Sequence, residues 1–324
     1  ETVGGFNPIY KKYGYEHVDL SVRIHNAGLT PAKYMDISNS LELFTSLDYL
    51  DKVASSVHNK YEYSRVNQRY FNQSKLSKQF INYKEVEKTH HKNVILTSYF
   101  NYSPDPQRGR KWTAQITELM PLINSCIARK QKLIIFSDCF LDSVNSEYIK
   151  FESTLPSHTH SPNVYRWIVY HEWMQKNSFE KCWMVDSTDV TLQKEPFKII
   201  KPGYLYCGDE HDMKTDNNWM KSFQEVHIKP SIEDYRQVIS SHAEETLINC
   251  GLVGGCSEII VSLIEKWSGI HKEKTVGLMA STDMAVFNYV VRKHFNDILV
   301  HGPKINTKFK HFEKNNTVAI WQHK

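Results

Sequence analysis

Near residue 92 the spacing of the apolar positions changes. Before it, the chain is polar and rich in Tyr, Lys, Asn and Ser, with no alternation of strand type. Within residues 36–50 apolar side chains recur at helical spacing, which predicts one or two helices in an N-terminal extension covering 1–91. From Asn93 onward, short apolar runs alternate with amphipathic stretches, the pattern of a βα-repeating sheet protein. Strands are expected over 93–100, 132–138, 181–186 and 203–208, with a strand or turn over 249–255. Helices are expected over 112–129, 163–176 and 257–267, and from Ser281 or Thr282 onward, where a hydroxyl is available as N-cap. This reads as an α/β fold, a mostly parallel mixed sheet flanked by helices, in a catalytic domain over 92–324. Several strands end in a polar residue, Asp138 and Asp186 among them. Ligands of open α/β sheets gather beyond those carboxyl ends, so these residues are expected to face one cleft.

Composition narrows the function. The 324 residues are 40% hydrophobic and 23% charged, as in folded globular proteins, and 40 basic against 36 acidic residues leave a net charge of only +4. No basic block of the kind that grips nucleic acid interrupts the chain, so no nucleic-acid partner is expected. No run reaches the roughly 18 apolar residues that cross a bilayer. The sequence begins at Glu1, which leads us to expect an upstream segment and, with sequons at Asn72, Asn101 and Asn315, a secretory lumen such as the Golgi; the cytoplasm is the alternative. The six cysteines form no CxxC pair and no zinc spacing. Cys182 and Cys207 read as buried thiols, and Cys250 and Cys256 are the one pair close enough in sequence to suggest a bridge.

The chemistry centres on Asp186 and Asp189, three positions apart in the turn that follows a buried strand. Buried unpaired carboxylates cost several kcal/mol (roughly 2–7 for polar groups, more for charges), and a divalent cation removes that cost. Mg²⁺ and Mn²⁺ take oxygen ligands, commonly one or two carboxylates plus substrate phosphate oxygens. Without such a partner Asp186 would cap the turn and Asp189 would be solvated. Gly251, Gly254 and Gly255 allow either a close approach to a ligand or a tight turn. Asn249 can bond a sugar hydroxyl or fasten that turn, and Asp283 suits a helix N-terminus as well as an active site.

The segment Asp186-Ser-Thr-Asp189, with its tail Gln193-Lys-Glu-Pro-Phe197, resembles the metal-binding strand of GT-A-fold glycosyltransferases, with D-x-D written as D-x-x-D. The resemblance runs over about 93–324. It includes Arg166 in a helix that carries a basic residue toward the donor, the Asn249-x-Gly251-x-x-Gly254-Gly255 segment of the sugar pocket, and Asp283 in an Asp-x-x-x-Phe-Asn helix start. Met284 departs from the Gln usual there, which puts that side-chain contact in doubt. The resemblance implies a transferase that moves a sugar from a nucleoside diphosphate-sugar, a UDP-sugar first, to a hydroxyl of a glycan or glycoconjugate, with Mn²⁺ or Mg²⁺ as cofactor and retention of configuration favoured over inversion. Thr97 and Tyr99 would meet the base. Arg108 and Arg110, with forked donors suited to phosphate, would neutralise the diphosphate. His323 would be a third metal ligand and Lys324 a diphosphate contact, with His301, Gly302 and Lys304 the competing set. Two other readings stand beside it. A sugar nucleotidyltransferase would carry a glycine-rich loop after the first strand, which 97–105 lacks; the other is a non-catalytic carbohydrate-binding relative. Donor sugar, acceptor and oligomeric state are not legible in the residues.

Overall fold

The computed structural model describes residues 10, 15–31, 60–77, 89–106, 109, 111–139, 144, 146–157, 159–228, 234–274, 281–308, 311, 313 and 316–323. The helical pattern at 36–50, Arg108, Arg110, Asn315 and Lys324 lie outside them. The chain divides into two compact units, residues 1–87 and 88–324. In the first, α1 (Glu16–Asn26) and α2 (Lys60–Ser77) meet through Val22 and Phe71, with Tyr10 beside them. Asp19 accepts from Tyr10 Oη at 3.0 Å and from Arg23 Nε at 2.7 Å, so its buried charge is paired. Among the described residues no helix is long and apolar enough to cross a membrane.

The second unit runs β1 (Thr89–Tyr99), α3 (Met120–Ala128), β2 (Leu133–Ser137), β3 (Ile149–Ser153), α4 (Pro162–Lys176), β4 (Asn177–Val185), β5 (Val190–Leu192), β6 (Leu205–Lys214), α5 (Tyr235–Ser241), β7 (Thr246–Cys256), α6 (Ser257–Lys274), α7 (Asp283–His294), β8 (Leu299–Val300) and β9 (Trp321–His323). Its main sheet has the order β3-β2-β1-β4-β7-β6-β8. The β3-β2-β1-β4 half is parallel, β7 runs antiparallel to both β4 and β6, and β8 is parallel to β6. The α/β class and the mostly parallel, helix-flanked sheet are therefore as expected, in an arrangement compatible with a Rossmann-like fold.

Both faces of the sheet are buried, which explains why its strands read as continuous apolar runs. Val94 and Leu96 of β1 join Met184, Trp167, Trp267 and Phe287 on the face covered by α4, α6 and α7. Ile95 points the other way, to Trp183, Val185 and the α3 residues Leu122 and Ile123. Burying each such side chain stabilises the fold by about 1.5–3 kcal/mol.

Local chemistry explains several shifts from the expected bounds. The helix expected over 112–129 becomes a 3-10 turn and then α3, which carries Pro in its first turn, where a missing N–H costs nothing. The alternation Ile-Lys-Phe-Glu-Ser forms β3, an edge strand that the sequence reading passed over. Of the strand or turn expected over 249–255, the structure has the strand: these residues lie within β7, and none of their glycines has positive φ. The same strand excludes the suggested Cys250–Cys256 bridge: six residues along an extended strand span about 20 Å, and both thiols are free. Buried Asn288 ties α7 to β7, donating to Ile248 O at 2.9 Å and accepting from Ile248 N at 3.1 Å.

A ring ladder braces the same region. Trp167 stacks on Trp267 at 5.2 Å, and Trp267 on His271 at 4.8 Å. His271 lies within hydrogen-bonding distance of Thr282 Oγ1, at 3.1 Å, just before α7. Burial, with a smaller contribution from His160, lowers the His271 pKa to about 4. Its folded value is depressed, so it contributes stability above the ordinary value of 6.5, and that contribution is lost as pH falls through about 4. The loss should amount to roughly 2–3 kcal/mol. Thermal denaturation from pH 7 to 4 should show a fall in Tm that is shallower in His271→Phe, which keeps the stack without the titrating nitrogens; parallel profiles would contradict this.

Candidate functional site

The site is built where β4 stops. Its ladder with β7 ends at Val185 opposite Leu252, and Asp186 N still donates to Gly251 O at 2.7 Å. The chain then turns through Ser187, Thr188 and Asp189 into β5, which pairs antiparallel with β9 so that Val190 stands opposite His323. This register carries a residue from the far end of the chain to the Asp186–Asp189 turn. The tail of the segment fixes the turn from behind: Trp183 Nε1 donates to Pro196 O at 3.0 Å, Lys181 Nζ to Phe197 O at 3.1 Å, and Arg129 Nη2 to Gln193 O at 2.5 Å. Thr307 Oγ1 receives the His323 N–H at 2.9 Å and holds the β9 end in place.

Asp186, Asp189 and His323 offer ligand atoms that all lie within 4.8 Å of one another, and the three could hold a metal ion. His323 is fully buried, with Nε2 4.0 Å from Asp186 Oδ2. Two carboxylates and one imidazole form a mixed O/N set suited to a divalent cation such as Mn²⁺ or Zn²⁺, while Mg²⁺ favours oxygen alone.

Arg166 organises the acids behind this turn. Projecting from the first turns of α4, it donates through Nη1 to Asp186 Oδ1, and through Nη2 to Asp283 Oδ2 at 3.1 Å and Cys250 Sγ at 3.0 Å. Burial by itself would favour the neutral guanidine, yet Asp186, Cys250 and Asp283 outweigh it and hold Arg166 above its ordinary pKa. Asp283, at the start of α7, is 2% exposed and also accepts from Ser281 Oγ at 3.0 Å.

Gly251 is required by proximity. A Cβ there would lie 2.2 Å from Asp186 Oδ2 and 2.8 Å from Asn249 Oδ1. Asn249 spans that corner: Oδ1 accepts from Gly251 N at 2.6 Å, and Nδ2 donates to Glu210 Oε1 at 2.6 Å. Gly254 serves packing instead, since a Cβ would meet the Trp183 indole at 2.5 Å, and Gly255 sits against Tyr204 O.

These groups open on one cavity of about 420 Å³. Its aromatic wall is Tyr99, Phe100 and Trp112, with the Tyr99 and Trp112 rings 6.2 Å apart. Tyr99 Oη donates to Thr113 O at 2.6 Å, and burial and Glu118 raise its pKa, so it stays neutral. Met213 of β6 and Trp219, in the segment that follows it, also line the cavity.

Of the residues singled out in the sequence, Tyr99, Arg166, Asp186, Asp189, Asn249 and Asp283 line this cavity, and His323 joins the metal group. Thr97 does not line it: buried, it donates through Oγ1 to Val185 O at 2.8 Å and ties β1 to β4. His301 is engaged elsewhere, with Nδ1 2.6 Å from Asp209 Oδ2. Glu210 and Asp105 are cavity acids that sequence reasoning missed. The pair Asp209-Glu210 at the end of an apolar run was the available signal, the same one that marked Asp186. No protein-family model matches the chain, and no curated protein matches it.

Isothermal titration with Mn²⁺ should show one site per chain, weakened at least about tenfold in Asp189→Asn, His323→Ala and Gly251→Ala, the last because its methyl group displaces Asp186. Unchanged affinity in all three would remove the metal assignment.

Proposed function

We propose that the chain is a divalent-metal-dependent glycosyltransferase with a GT-A-like catalytic unit, acting on a nucleoside diphosphate-sugar, a UDP-sugar first, and a hydroxyl of a glycan or glycoconjugate. The observation that carries this reading is the Asp186, Asp189 and His323 group at the carboxyl end of a central parallel strand, beside a cavity with an aromatic wall. The charge balance supports it. Asp105, Asp186, Asp189, Glu210 and Asp283 line the cavity, and among its described lining residues Arg166 is the one guanidinium, already bound by two of those acids. A diphosphate would be repelled here, at about 4 kcal/mol per charge pair 4 Å apart with an effective dielectric constant near 20. Such an anion enters together with a cation.

A cation held by Asp186, Asp189 and His323 would supply Lewis-acid stabilisation of the charge that develops on the departing diphosphate. The protein groups do the rest. Arg166 fixes the Asp186 carboxylate, so that the ligand geometry is set before substrate arrives. Tyr99 and Trp112 offer apolar faces of the size of a nucleobase. Asn249, at the junction of β7 and the cavity, presents an amide where the sugar hydroxyls would lie. Asp283 holds Arg166 from below and borders the sugar end.

Donor hydrolysis with Mn²⁺ across a panel of sugar nucleotides tests the reading. At least one donor should release nucleoside diphosphate, and Asp186→Asn should lower that rate by about 10²-fold or more. Release of pyrophosphate would point to nucleotidyl transfer instead. No release from any donor, with none raising Tm in a thermal-shift screen, would sink the proposal.

A further inference from the structure

Resting on the transferase reading, we infer that the acceptor is a neutral saccharide and that Trp219 is the ring against which its terminal pyranose stacks.

The cavity has two apolar ends, and the sheet separates them. Tyr99 and Trp112 pack on the α3 side of the sheet, with Ile95, Trp183 and Leu122. Met213 and Trp219 pack on the other side, against the cluster of Met184, Trp267 and Phe287. They also belong to different strands. Tyr99 ends β1, whereas Met213 lies near the end of β6, and the order β1-β4-β7-β6 puts three strand spacings, about 14 Å, between them. Both β4 and β6 run antiparallel to β7, so they are parallel to each other, and the carboxyl ends of both reach the cavity. The strand that delivers Asp186 therefore lies between the one that carries Tyr99, proposed for the nucleobase, and the one that leads to Trp219.

The backbone aims this second end into the cavity. Residues three apart in a regular strand point to opposite faces, yet Glu210 and Met213 both line the cavity. Between them His211 takes φ 41°, in the left-handed region that favours glycine, and the β6–β7 register shifts between Asp209 and Lys214. A break of this kind re-aims side chains beside a site. The turn that carries Trp219 is fixed on both sides of it. Asn217 Oδ1 accepts from Met220 N at 2.9 Å, Met220 is fully buried, and buried Gln224 donates through Nε2 to Ser281 Oγ at 3.1 Å.

Trp219 itself is half-buried, and among the described residues no aromatic ring stacks on it and no group accepts from its indole N–H. Phe100, the other aromatic of the lining that packs on this side of the sheet, is 3% exposed and covered by the rings of Tyr102 and Tyr165 at 5.9 and 5.2 Å. An indole on a cavity wall offers a pyranose a flat face of negative potential for its polarised C–H groups and an N–H for a hydroxyl. Asn249 and Glu210, joined at 2.6 Å, add an amide and a carboxylate to the same cavity. With Asp105, Asp186, Asp189, Glu210 and Asp283 in the lining, an acceptor that carries its own carboxylate or sulfate is repelled, and a neutral sugar is the match.

With Mn²⁺ and a sugar nucleotide that the wild type hydrolyses, the methyl glucosides, galactosides, mannosides and xylosides are offered as acceptors, beside a Ser/Thr-rich peptide. At least one pyranoside should raise nucleoside diphosphate release above the rate with water and appear glycosylated in mass spectra. Trp219→Ala should raise KM for that pyranoside about tenfold or more, while donor KM and the rate with water stay within about threefold; Trp219→Phe, which keeps a ring, should recover most of the loss. No acceleration by any pyranoside, acceleration by the peptide alone, an unchanged acceptor KM in W219A, or a donor KM raised equally would each overturn the inference. These outcomes leave the transferase reading standing; a wild type that hydrolyses no donor removes both.

Discussion

The site depends on one buried guanidinium. Arg166 stands between Asp186 and Asp283, two carboxylates delivered by the end of β4 and the start of α7. Without it, two negative charges and the Cys250 thiol would share a poorly solvated corner, at a cost of several kcal/mol. With it, Asp186 is held in one orientation while its other oxygen faces His323. The positive charge of Arg166 is bound by these two acids, so the described lining of the cavity in front of it is predominantly acidic.

The fold supplies this arrangement through register and through the absence of side chains. Antiparallel β7 lies directly beside the last parallel strand of that half of the sheet, so Gly251 and Asn249 come up against Asp186. The β5–β9 pair brings His323 to the same point from the chain's far end. Asn288 and the Trp167–Trp267–His271 ladder hold α7, and with it Asp283, against the sheet.

Much of this was legible in the sequence because it is local. Apolar runs ending in acids marked β4 and its turn, and helical spacing marked α4, α6 and α7. The parts that were not legible depend on pairing between distant segments. Nothing near Gly251 shows that its missing Cβ makes room for Asp186 while that of Gly254 makes room for Trp183. Residues 249–255 read as a strand or a turn because glycines usually serve turns, whereas here they serve close approach within a strand. Cys250 and Cys256 looked adjacent for the same reason. Glu210 follows an apolar run as Asp186 does, inside Asp209-Glu-His-Asp212, which repeats the Asp-x-x-Asp spacing, but only the β6–β7 pairing sets it against Asn249.

The central claim is that Asp186, Asp189 and His323 hold one divalent cation. Crystals soaked in Mn²⁺ with a nucleoside diphosphate, measured at a wavelength where manganese scatters anomalously, test it most directly. The account requires a single strong peak bonded to all three side chains and to phosphate oxygens on the cavity side. A nucleotide bound in the cavity with no peak at these residues, or a peak ligated elsewhere, would contradict it.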